Sequence, residues 1–205
     1  MHKSLDDFSV SYKLTQEFIA QQEAMREILY DFNHSRPREE ALRQSLAKEI
    51  LGRYQGTLIV PPFHCDVGKN IFLGRGGFIN YGLVALDIAP ITIGDFVMIG
   101  PNVQLLAASH PVALSERVLP YAMGDPITIG NNVWIGAGSI VMPGVTIGDN
   151  SVIGAGSLVL KDIPDSVIAF GRPCRVIKPI EHGSVPSDED IEAMYVELGF
   201  SPLEG

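Results

Sequence analysis

The sequence predicts a mainly β protein whose core is a solenoid of six-residue repeats. Aliphatic residues recur at every sixth position over long stretches, and glycine often follows them. An amphipathic helix needs a period of about 3.6 and tolerates frequent glycine badly, whereas a short strand followed by a sharp corner accommodates both features. The repeated positions fall in three blocks: Val67, Leu73 and Ile79; Ile93, Ile99 and Leu105; and Ile129, Ile135, Val141, Ile147, Ile153 and Val159.

Composition points to a globular protein that acts on small molecules. The chain has 205 residues, of which 46% are hydrophobic, so it can bury the core of one sizeable domain with appendages. Its formal net charge of −9 argues against nucleic acid or an anionic membrane as a general partner. Only Cys65 and Cys174 are present, which is neither a disulfide framework nor a metal-ligand spacing.

The cellular location follows from the absence of targeting signals in the sequence. No apolar stretch approaches the roughly 20 residues that a membrane-spanning helix needs. The N-terminus, MHKSLDDFSVSYK, is polar and has no apolar signal segment or cleavage site. We therefore expect a cytoplasmic protein.

The sequence predicts an N-terminal helical segment over residues 1–55. Two apolar runs at helical spacing lie between residues 14 and 51, and the polar triplet at 33–35 separates them. The apolar positions are Phe18, Ala24, Ile28 and Leu29 in the first run and Ala41, Leu42, Leu46 and Ile50 in the second. We expect a helical hairpin whose apolar stripes pack against the core.

Residues 56–180 predict the solenoid domain, in which stacked strands place equivalent side chains roughly 4.8 Å apart as internal ladders. The spacing from Leu105 to Ile129 is 24 residues, a multiple of six, so the repeat is interrupted and then resumes in phase. Residues 106–126 therefore predict an excursion loop. Insertions of this length in a regular repeat are often functional.

Residues 181–205 predict a C-terminal extension with a short acidic helix. Ser187 is a suitable capping residue for that helix. Its expected apolar face contains Ile191, Met194, Tyr195 and Leu198. We expect this face to pack on the same subunit or on a neighbour.

Several motifs give the chain a family resemblance over about residues 28–180. They are LYDFNHS at 29–35, PPFHCDVGKNIFLG at 61–74, ASHP at 108–111, PITIGNNVWIGAGSIVMPGVTIGDNSVIGAGSLVLKDIP at 126–164 and GRPCRVIK at 171–178. With them the chain resembles the maltose and galactoside O-acetyltransferases. The resemblance implies a left-handed parallel β-helix, acetyl-CoA as acyl donor, a sugar or related polyol as acceptor, no metal, and a homotrimer with active sites between subunits.

His110 is the candidate catalytic residue. Moving an acetyl group from a thioester to a hydroxyl needs a base for the hydroxyl proton and donors for the developing oxyanion. Histidine titrates near neutral pH and suits the first task. The SHP of this chain stands where the resembling family has its catalytic histidine, so the resemblance implies that His110 is the general base.

The resemblance also implies the acceptor-binding residues Asn80, Asp87 and Asp66, although asparagine and aspartate are common at tight corners for conformational reasons alone. The chain departs from the family in SVSYKLTQEF, where Lys13 stands in the place of an expected acidic contact, and at Gly82, where the family often has a polar side chain. We therefore expect a polyhydroxylated acceptor other than a simple maltose or galactoside.

For the donor, the resemblance implies a channel along the coil. The cofactor-binding residues that it implies are Trp134, Ala137, Ala155 and Leu160 along the pantetheine arm and Lys161, Arg175 and Lys178 at the CoA phosphates. The last three, with Arg172, form a local basic excess in an otherwise acidic chain. Lysine pairs with phosphate as a point charge and arginine as a fork.

Three other functions remain open at this point. A xenobiotic acetyltransferase acting on an antibiotic hydroxyl would use the same coil and histidine, but the N-terminal segment matches the sugar branch. A metal-dependent β-helix hydratase needs three convergent histidines, and only His110 lies in the coil after residue 67. A non-catalytic solenoid scaffold requires neither a histidine loop nor a basic tail.

Overall fold

The computed structural model describes residues 3–183 and 186–197, and its core is a parallel β-helix. The helices are α1 (Gln16–His34), α2 (Glu40–Ile50), α3 (Leu114–Arg117) and α4 (Asp188–Glu197), and a 3-10 turn spans Leu5–Asp7. The strands are β1 (Val10–Lys13), β2 (Arg53–Gln55), β3 (Leu58–Ile59), β4 (Phe63–Cys65), β5 (Ile71–Arg75), β6 (Phe78–Ile79), β7 (Leu83–Leu86), β8 (Ile91–Ile93), β9 (Met98–Ile99), β10 (Gln104–Leu106), β11 (Ala108–Ser109), β12 (Tyr121–Gly124), β13 (Ile127–Ile129), β14 (Trp134–Ile135), β15 (Ile140–Val141), β16 (Thr146–Ile147), β17 (Val152–Ile153), β18 (Leu158–Val159), β19 (Val167–Phe170) and β20 (Arg175–Pro179).

Three sheets form the faces of the β-helix, and the chain visits them in turn. Face 1 contains β2, β5, β8, β13 and β16, and face 3 contains β4, β7, β10, β15 and β18. Face 2 contains β3, β6, β9, β14, β17 and β19, all parallel, and β20 closes its edge by returning antiparallel along β19. This architecture confirms the solenoid that the six-residue period predicts.

Aliphatic side chains inside the coil lie over one another as ladders. On face 2 the register places Ile59, Ile79, Ile99, Ile135 and Ile153 in one column, and all are buried. The matching columns contain Leu73, Ile93, Ile129 and Ile147 on face 1 and Ala85, Leu105, Val141 and Val159 on face 3. Burial of such columns stabilises the coil by roughly 25 cal/mol per Å² of apolar surface.

The first repeat departs from the predicted phase. The period of six predicts Val67 in an aliphatic column, but Cys65 pairs with Ala85 at that position and Val67 lies in the turn after β4. The turn at residues 66–70 is long, and the Asp87 carboxylate holds it by accepting three of its backbone N–H groups. These hydrogen bonds hold the long turn, and its extra length shifts the six-residue repeat at this point.

Three columns of turns, here called corners, join the faces. The glycine corner joins face 2 to face 3 and contains residues 60–62, 80–82, 100–103, 136–139 and 154–157. The histidine corner joins face 3 to face 1 and contains residues 66–70, 87–90, 107–126 and 142–145. The third corner joins face 1 to face 2.

The excursion loop forms an antiparallel sheet with the N-terminus, in the order β1-β12-β11. β12 pairs with four residues of β1 on one side and with β11 on the other. The segment predicted as helical at 1–55 thus also contains the strands β1 and β2. The excursion itself is ordered by chain that lies more than 100 residues away in the sequence.

The two long helices form the predicted hairpin against the coil. The Oγ1 of Thr15 caps α1 by accepting the N–H of Phe18 at 3.1 Å. Leu29 and Phe32 bury the inner face of α1. At its end, the Asn33 amide exchanges two hydrogen bonds with the backbone of Phe63, at 2.8 and 2.9 Å, and so ties the hairpin to face 3.

The predicted C-terminal helix is present as α4. Ser187 caps it, because its Oγ accepts the N–H of Asp190 at 3.1 Å. On the predicted apolar face, Ile191 is half-buried and Met194 is exposed; Leu198 and the side chain of Tyr195 lie outside the described residues. No helix in the described part of the chain is long and apolar enough to cross a membrane.

Candidate active site

A column of glycines forms the floor of a groove on the glycine corner. Gly100, Gly136 and Gly154 follow successive strands of face 2, and each donates its N–H to the next strand at 2.7 to 2.9 Å. A Cβ on Gly136 would lie 2.5 Å from the backbone nitrogen of Ala155, so a larger residue does not fit without displacement. The three glycines therefore let successive turns stack closely, and they line a groove with a volume of about 520 Å³.

Two walls flank this floor. One is the outward row of face 2, where Phe78, Met98 and Trp134 pair in register and Trp134 stays 51% exposed. The other consists of turn residues that include Ala137 and Ala155. The structure therefore brings three of the predicted donor-site residues together in one groove, which we call the donor groove.

Asn80 closes one end of the glycine column. It follows β6 and donates its backbone N–H to Ile99 at 2.9 Å, in the position that glycine occupies in the later turns. Its Oδ1 accepts the N–H of Tyr81 at 2.8 Å, which fixes the side-chain amide. The sequence predicts Asn80 as an acceptor-binding residue, and the structure places it on the wall of the donor groove.

The outward row of face 2 leads from the donor groove to a basic residue. Its register runs from Trp134 through Val152 and Ile168 to Lys178. Lys178 therefore lies three strands beyond Trp134, about 14 Å at the usual strand spacing. Side chains at directly opposed positions lie on the same face of a sheet, so Lys178 and Trp134 share one surface.

The other predicted donor residues surround this end of the coil. Leu160, Lys161 and Arg175 are exposed, and the Arg175 guanidinium donates to the carbonyl of Cys174 at 2.9 Å. Within residues 3–183 and 186–197, neither Lys161, Arg175 nor Lys178 forms a salt bridge. Their charges are therefore available to an anionic group.

His110 lies on the histidine corner and not in the donor groove. The chain leaves face 3 after β10, pairs as β11 with β12, and reaches His110 directly afterwards, where the side chain is exposed. A strand of face 3 separates the two corners. The four-residue β7 alone spans about 13 Å.

Asp87 belongs to the same corner as His110 and is 0% exposed. Its Oδ1 accepts the N–H groups of Asp66 and Val67 at 3.0 and 2.9 Å, and its Oδ2 accepts that of Asn70 at 3.3 Å. Burial raises the pKa of Asp87, and the backbone hydrogen bonds oppose that rise. These oxygens hold the corner together, and a contact between Asp87 and an acceptor stays a prediction.

Asp66 is half-buried beside Asp87. Burial raises the pKa of Asp66 and the Asp87 carboxylate raises it further, while Arg26 of α1 lowers it. Burial also raises the pKa of the neighbouring Cys65 thiol, with the same two carboxylates adding to the effect. The thiol thus stays protonated and is no nucleophile. In the part of the chain that the structure describes, no three His, Cys, Asp or Glu residues are grouped to hold a metal ion.

Tyr12 lies beside this corner, and the sequence analysis does not single it out. It lies on β1, and its ring packs edge-on against Phe18 with 5.3 Å between ring centroids. Burial raises the pKa of Tyr12, and Asp87 and Asp66 raise it further, so the phenol stays a hydrogen-bond donor. The alternation of Val10 and Tyr12 is a strand signal that could have revealed β1, but nothing local reveals its partner.

Comparison with known proteins shows which family the chain belongs to. Residues 126–161 match the profile of the bacterial transferase hexapeptide (six repeats), and residues 12–56 match the maltose acetyltransferase hexapeptide capping motif. The chain is 49% identical over 154 residues to a galactoside O-acetyltransferase of Escherichia coli (strain K12), which covers 75% of this chain and 76% of that protein. The chain belongs to the maltose and galactoside O-acetyltransferase family.

Solved structures agree with the fold of this family member. A maltose O-acetyltransferase from Clostridium difficile 630 superposes with a TM-score of 0.80 and 41% identity, covering 82% of this chain and 90% of that one. A galactoside acetyltransferase in complex with coenzyme A superposes with a TM-score of 0.79 and 45% identity, covering 83% and 86%. The predicted left-handed β-helix and the acyltransferase class are thereby confirmed.

In this O-acetyltransferase the predicted site residues form two groups. Asn80 and the donor-groove residues stand on the glycine corner, and the basic residues continue along the same face. His110, Asp66 and Asp87 stand on the histidine corner, one face away. The predicted site residues of one chain thus lie in two groups that one face of the coil separates.

Proposed function

We propose that this protein transfers an acetyl group from acetyl-CoA to a hydroxyl of a sugar or related polyol. The observation that carries the proposal is the glycine-floored groove in a member of this family. One relative with 45% identity was solved as a galactoside acetyltransferase with coenzyme A, and another is a maltose O-acetyltransferase. Those names supply the substrate class, and the groove supplies a place for the donor.

The donor groove has the shape and chemistry that a pantetheine arm requires. Its floor is backbone, because the glycines contribute no side chain, so amide groups of a linear ligand can approach peptide groups closely. Trp134 offers an exposed apolar surface along one wall. Lys178, Lys161 and Arg175 stand beyond the groove, where they would bind the phosphates of the nucleotide.

His110 supplies the base in the proposed reaction. Its imidazole takes the proton of the acceptor hydroxyl as the hydroxyl oxygen forms a bond to the acetyl carbon. The carbon–sulfur bond then breaks, and the imidazolium returns the proton to the departing thiolate. The products are the O-acetylated acceptor and free coenzyme A, and no group on the enzyme is changed.

A homotrimer with active sites between subunits brings the two groups of site residues together. The histidine corner of one subunit would face the donor groove of the next, so that His110 meets Asn80 across the interface. Exposed apolar residues support such a contact. Val112, Leu114 and Val118 of the excursion loop are each more than half exposed, and a second copy would cover them.

The first experiment incubates purified protein with acetyl-CoA and a panel of sugars, glycosides and polyols, and measures thiol release. We expect release that depends on at least one hydroxylated acceptor. A xenobiotic acetyltransferase would respond only to antibiotic acceptors, and a scaffold would release no thiol. No release above the acceptor-free rate with any member of the sugar panel would refute the proposed function.

A second experiment tests the shared site by mixing two inactive variants. His110→Ala removes the base, and Ala137→Trp narrows the donor groove with a bulky side chain at an exposed position of its wall. Refolded together in equal amounts, they should recover roughly a quarter of wild-type activity, because one interface in four combines an intact base with an intact groove. A site contained in one subunit would recover nothing, and sedimentation should show a trimer in each preparation.

A further inference from the structure

The N-terminal segment that leads into strand β1 is fastened to the excursion loop at two places, in the middle and near the end of the loop. Asp125, at the loop's end, accepts the N–H and the hydroxyl of Ser9 at 3.0 and 2.9 Å. Glu116, in α3, accepts the hydroxyl of Ser4 at 2.9 Å. Directly after the Ser9 clasp, four residues of β1 pair with β12. The side chains of β1 are therefore held in a fixed position relative to the loop that carries His110.

The register of this sheet places Tyr12 at the level of His110. Tyr12 pairs with Ala122 across β12, and Ser109 pairs with Met123 on the other side. β11 ends at Ser109, and its register continued by one residue brings His110 level with Ala122. Tyr12 and His110 are thus two strand spacings apart, about 10 Å. The small side chain of Ala122, which is 8% exposed, lies between them on the same side of the sheet.

The surroundings of Tyr12 fix its ring and give it polar neighbours. The ring is half-buried and meets Phe18 at an interplanar angle of 69°. The carboxylates of Asp66 and Asp87 are close enough to influence the phenol. Asp87 is occupied by backbone N–H groups. Asp66 is therefore the carboxylate left to act with the phenol on a ligand.

We infer that Tyr12 is a specificity-determining residue of the acceptor site and favours acceptors with a six-membered sugar ring over open-chain polyols. This inference rests on the proposed function. A fixed aromatic ring offers a flat apolar surface for the C–H face of a pyranose, while the phenol and Asp66 supply a donor and an acceptor for neighbouring hydroxyls. An open-chain polyol has no such face and loses less when the ring is removed.

The test compares three substitutions at Tyr12 in the full-length protein, with methyl glucopyranoside and sorbitol as acceptors. Tyr12→Ala removes the ring, Tyr12→Leu keeps apolar bulk against Phe18, and Tyr12→Phe keeps the flat ring. Ser11→Ala is the matched control, since Ser11 is exposed on the same strand with its side chain on the opposite face. Melting temperature and KM for acetyl-CoA are measured for each variant.

We expect Tyr12→Ala and Tyr12→Leu to raise KM for the pyranoside roughly tenfold, with smaller changes for sorbitol and for acetyl-CoA. Tyr12→Phe should stay within about threefold of wild type. Equal KM values in wild type and Tyr12→Leu would overturn the inference. So would parallel changes in pyranoside, sorbitol and acetyl-CoA kinetics, because these would indicate a structural role alone. An inactive wild-type protein would instead refute the proposed function.

Discussion

The glycine corner and the histidine corner belong to the same coil, yet they are built in opposite ways. The glycine corner is regular: its last three turns are four residues long and begin with a glycine, which lets the backbones of successive turns pack closely. The histidine corner is irregular: it contains a lengthened turn at 66–70 and the excursion of 107–126, and polar side chains hold it together. The regular repeat thus forms a continuous groove, whereas the exposed His110 lies on an interruption that has its own tethers.

The largest expected effect is on turnover, and it tests whether the histidine corner supplies the base while the glycine corner binds the donor. His110→Ala should lower kcat by roughly 10²–10⁴ because it removes the base, while the dissociation constant for CoA should stay within about twofold. Steady-state kinetics and calorimetric titration of CoA check the two parts. His64→Ala, an exposed histidine on β4 of face 3, is the matched control and should behave as wild type. A near-normal kcat in His110→Ala would remove this residue from the mechanism.

A second substitution compares how the corners are stabilised. Asp87→Ala leaves three backbone N–H groups without their acceptor, so the free energy of unfolding should fall by roughly 2–4 kcal/mol in urea titrations. Asp95→Ala is the control on the third corner, where the carboxylate bonds Arg75 and is partly exposed; its loss should stay below about 1 kcal/mol. Equal losses would mean that the histidine corner does not depend on Asp87.

The next prediction concerns Lys178, which lies beyond the donor groove on the outward row of face 2. Lys178→Gln should weaken acetyl-CoA binding by roughly tenfold at low salt, because a charge-assisted hydrogen bond to phosphate is lost. The deficit should shrink at moderate salt as screening weakens the wild-type contact. Lys48→Gln, in the N-terminal hairpin, should leave binding unchanged. Identical affinities for wild type and Lys178→Gln at low salt would place the phosphates elsewhere.

The smallest expected effect concerns the clasp between the N-terminus and the histidine corner. Burial alone raises the pKa of Asp125, but the hydrogen bonds from Lys3 and Ser9 outweigh it and hold the pKa below its ordinary value of 3.8. A carboxyl whose pKa is lowered by folding stabilises the protein above its unfolded pKa, and that contribution is lost as pH falls through the folded value. Wild type should therefore exceed Asp125→Asn in unfolding free energy by about 1 kcal/mol at pH 7.

That difference should narrow below about pH 4, where the wild-type carboxyl also becomes protonated. Urea titrations of both proteins at several pH values measure it. Asp31→Asn, an exposed residue of α1, serves as the control for a general loss of charge. A difference between wild type and Asp125→Asn that stays constant from pH 7 to pH 3 would contradict the assigned role of the clasp.

The sequence predicts the regular corner far better than the irregular one. A period of six locates Ile99, Ile135 and Ile153 in a buried column because each coil turn solves the same packing problem. It fails at Val67, since a tether from a residue 20 positions away sets the length of that turn. Local patterns carry no information about such a partner.

In the candidate site, too, local motifs predict some features, while others depend on contacts between distant parts of the chain. Family motifs predict Trp134, Ala137 and Ala155 for the donor, and the structure brings these three into one groove; the motifs do not reveal that one face separates the groove from His110. Sequence patterns do not single out Tyr12, because its proposed role depends on pairing with Ala122, 110 positions along the chain. Contacts over that distance follow from the fold and cannot be read from neighbouring residues.

The length of the donor groove is set by the number of coil turns that carry a glycine in this column. Each turn of the coil adds one glycine and one strand spacing, about 4.8 Å. The column is terminated by side chains at both ends, by Asn80 after β6 and by Phe170, whose Cβ lies 2.7 Å from the place where a Cβ on Gly154 would stand. Inserting or deleting a whole turn between these stops would change the reach of the groove in discrete steps without altering its cross-section. The length of the groove can therefore change only in units of one strand spacing, which the backbone hydrogen bond sets.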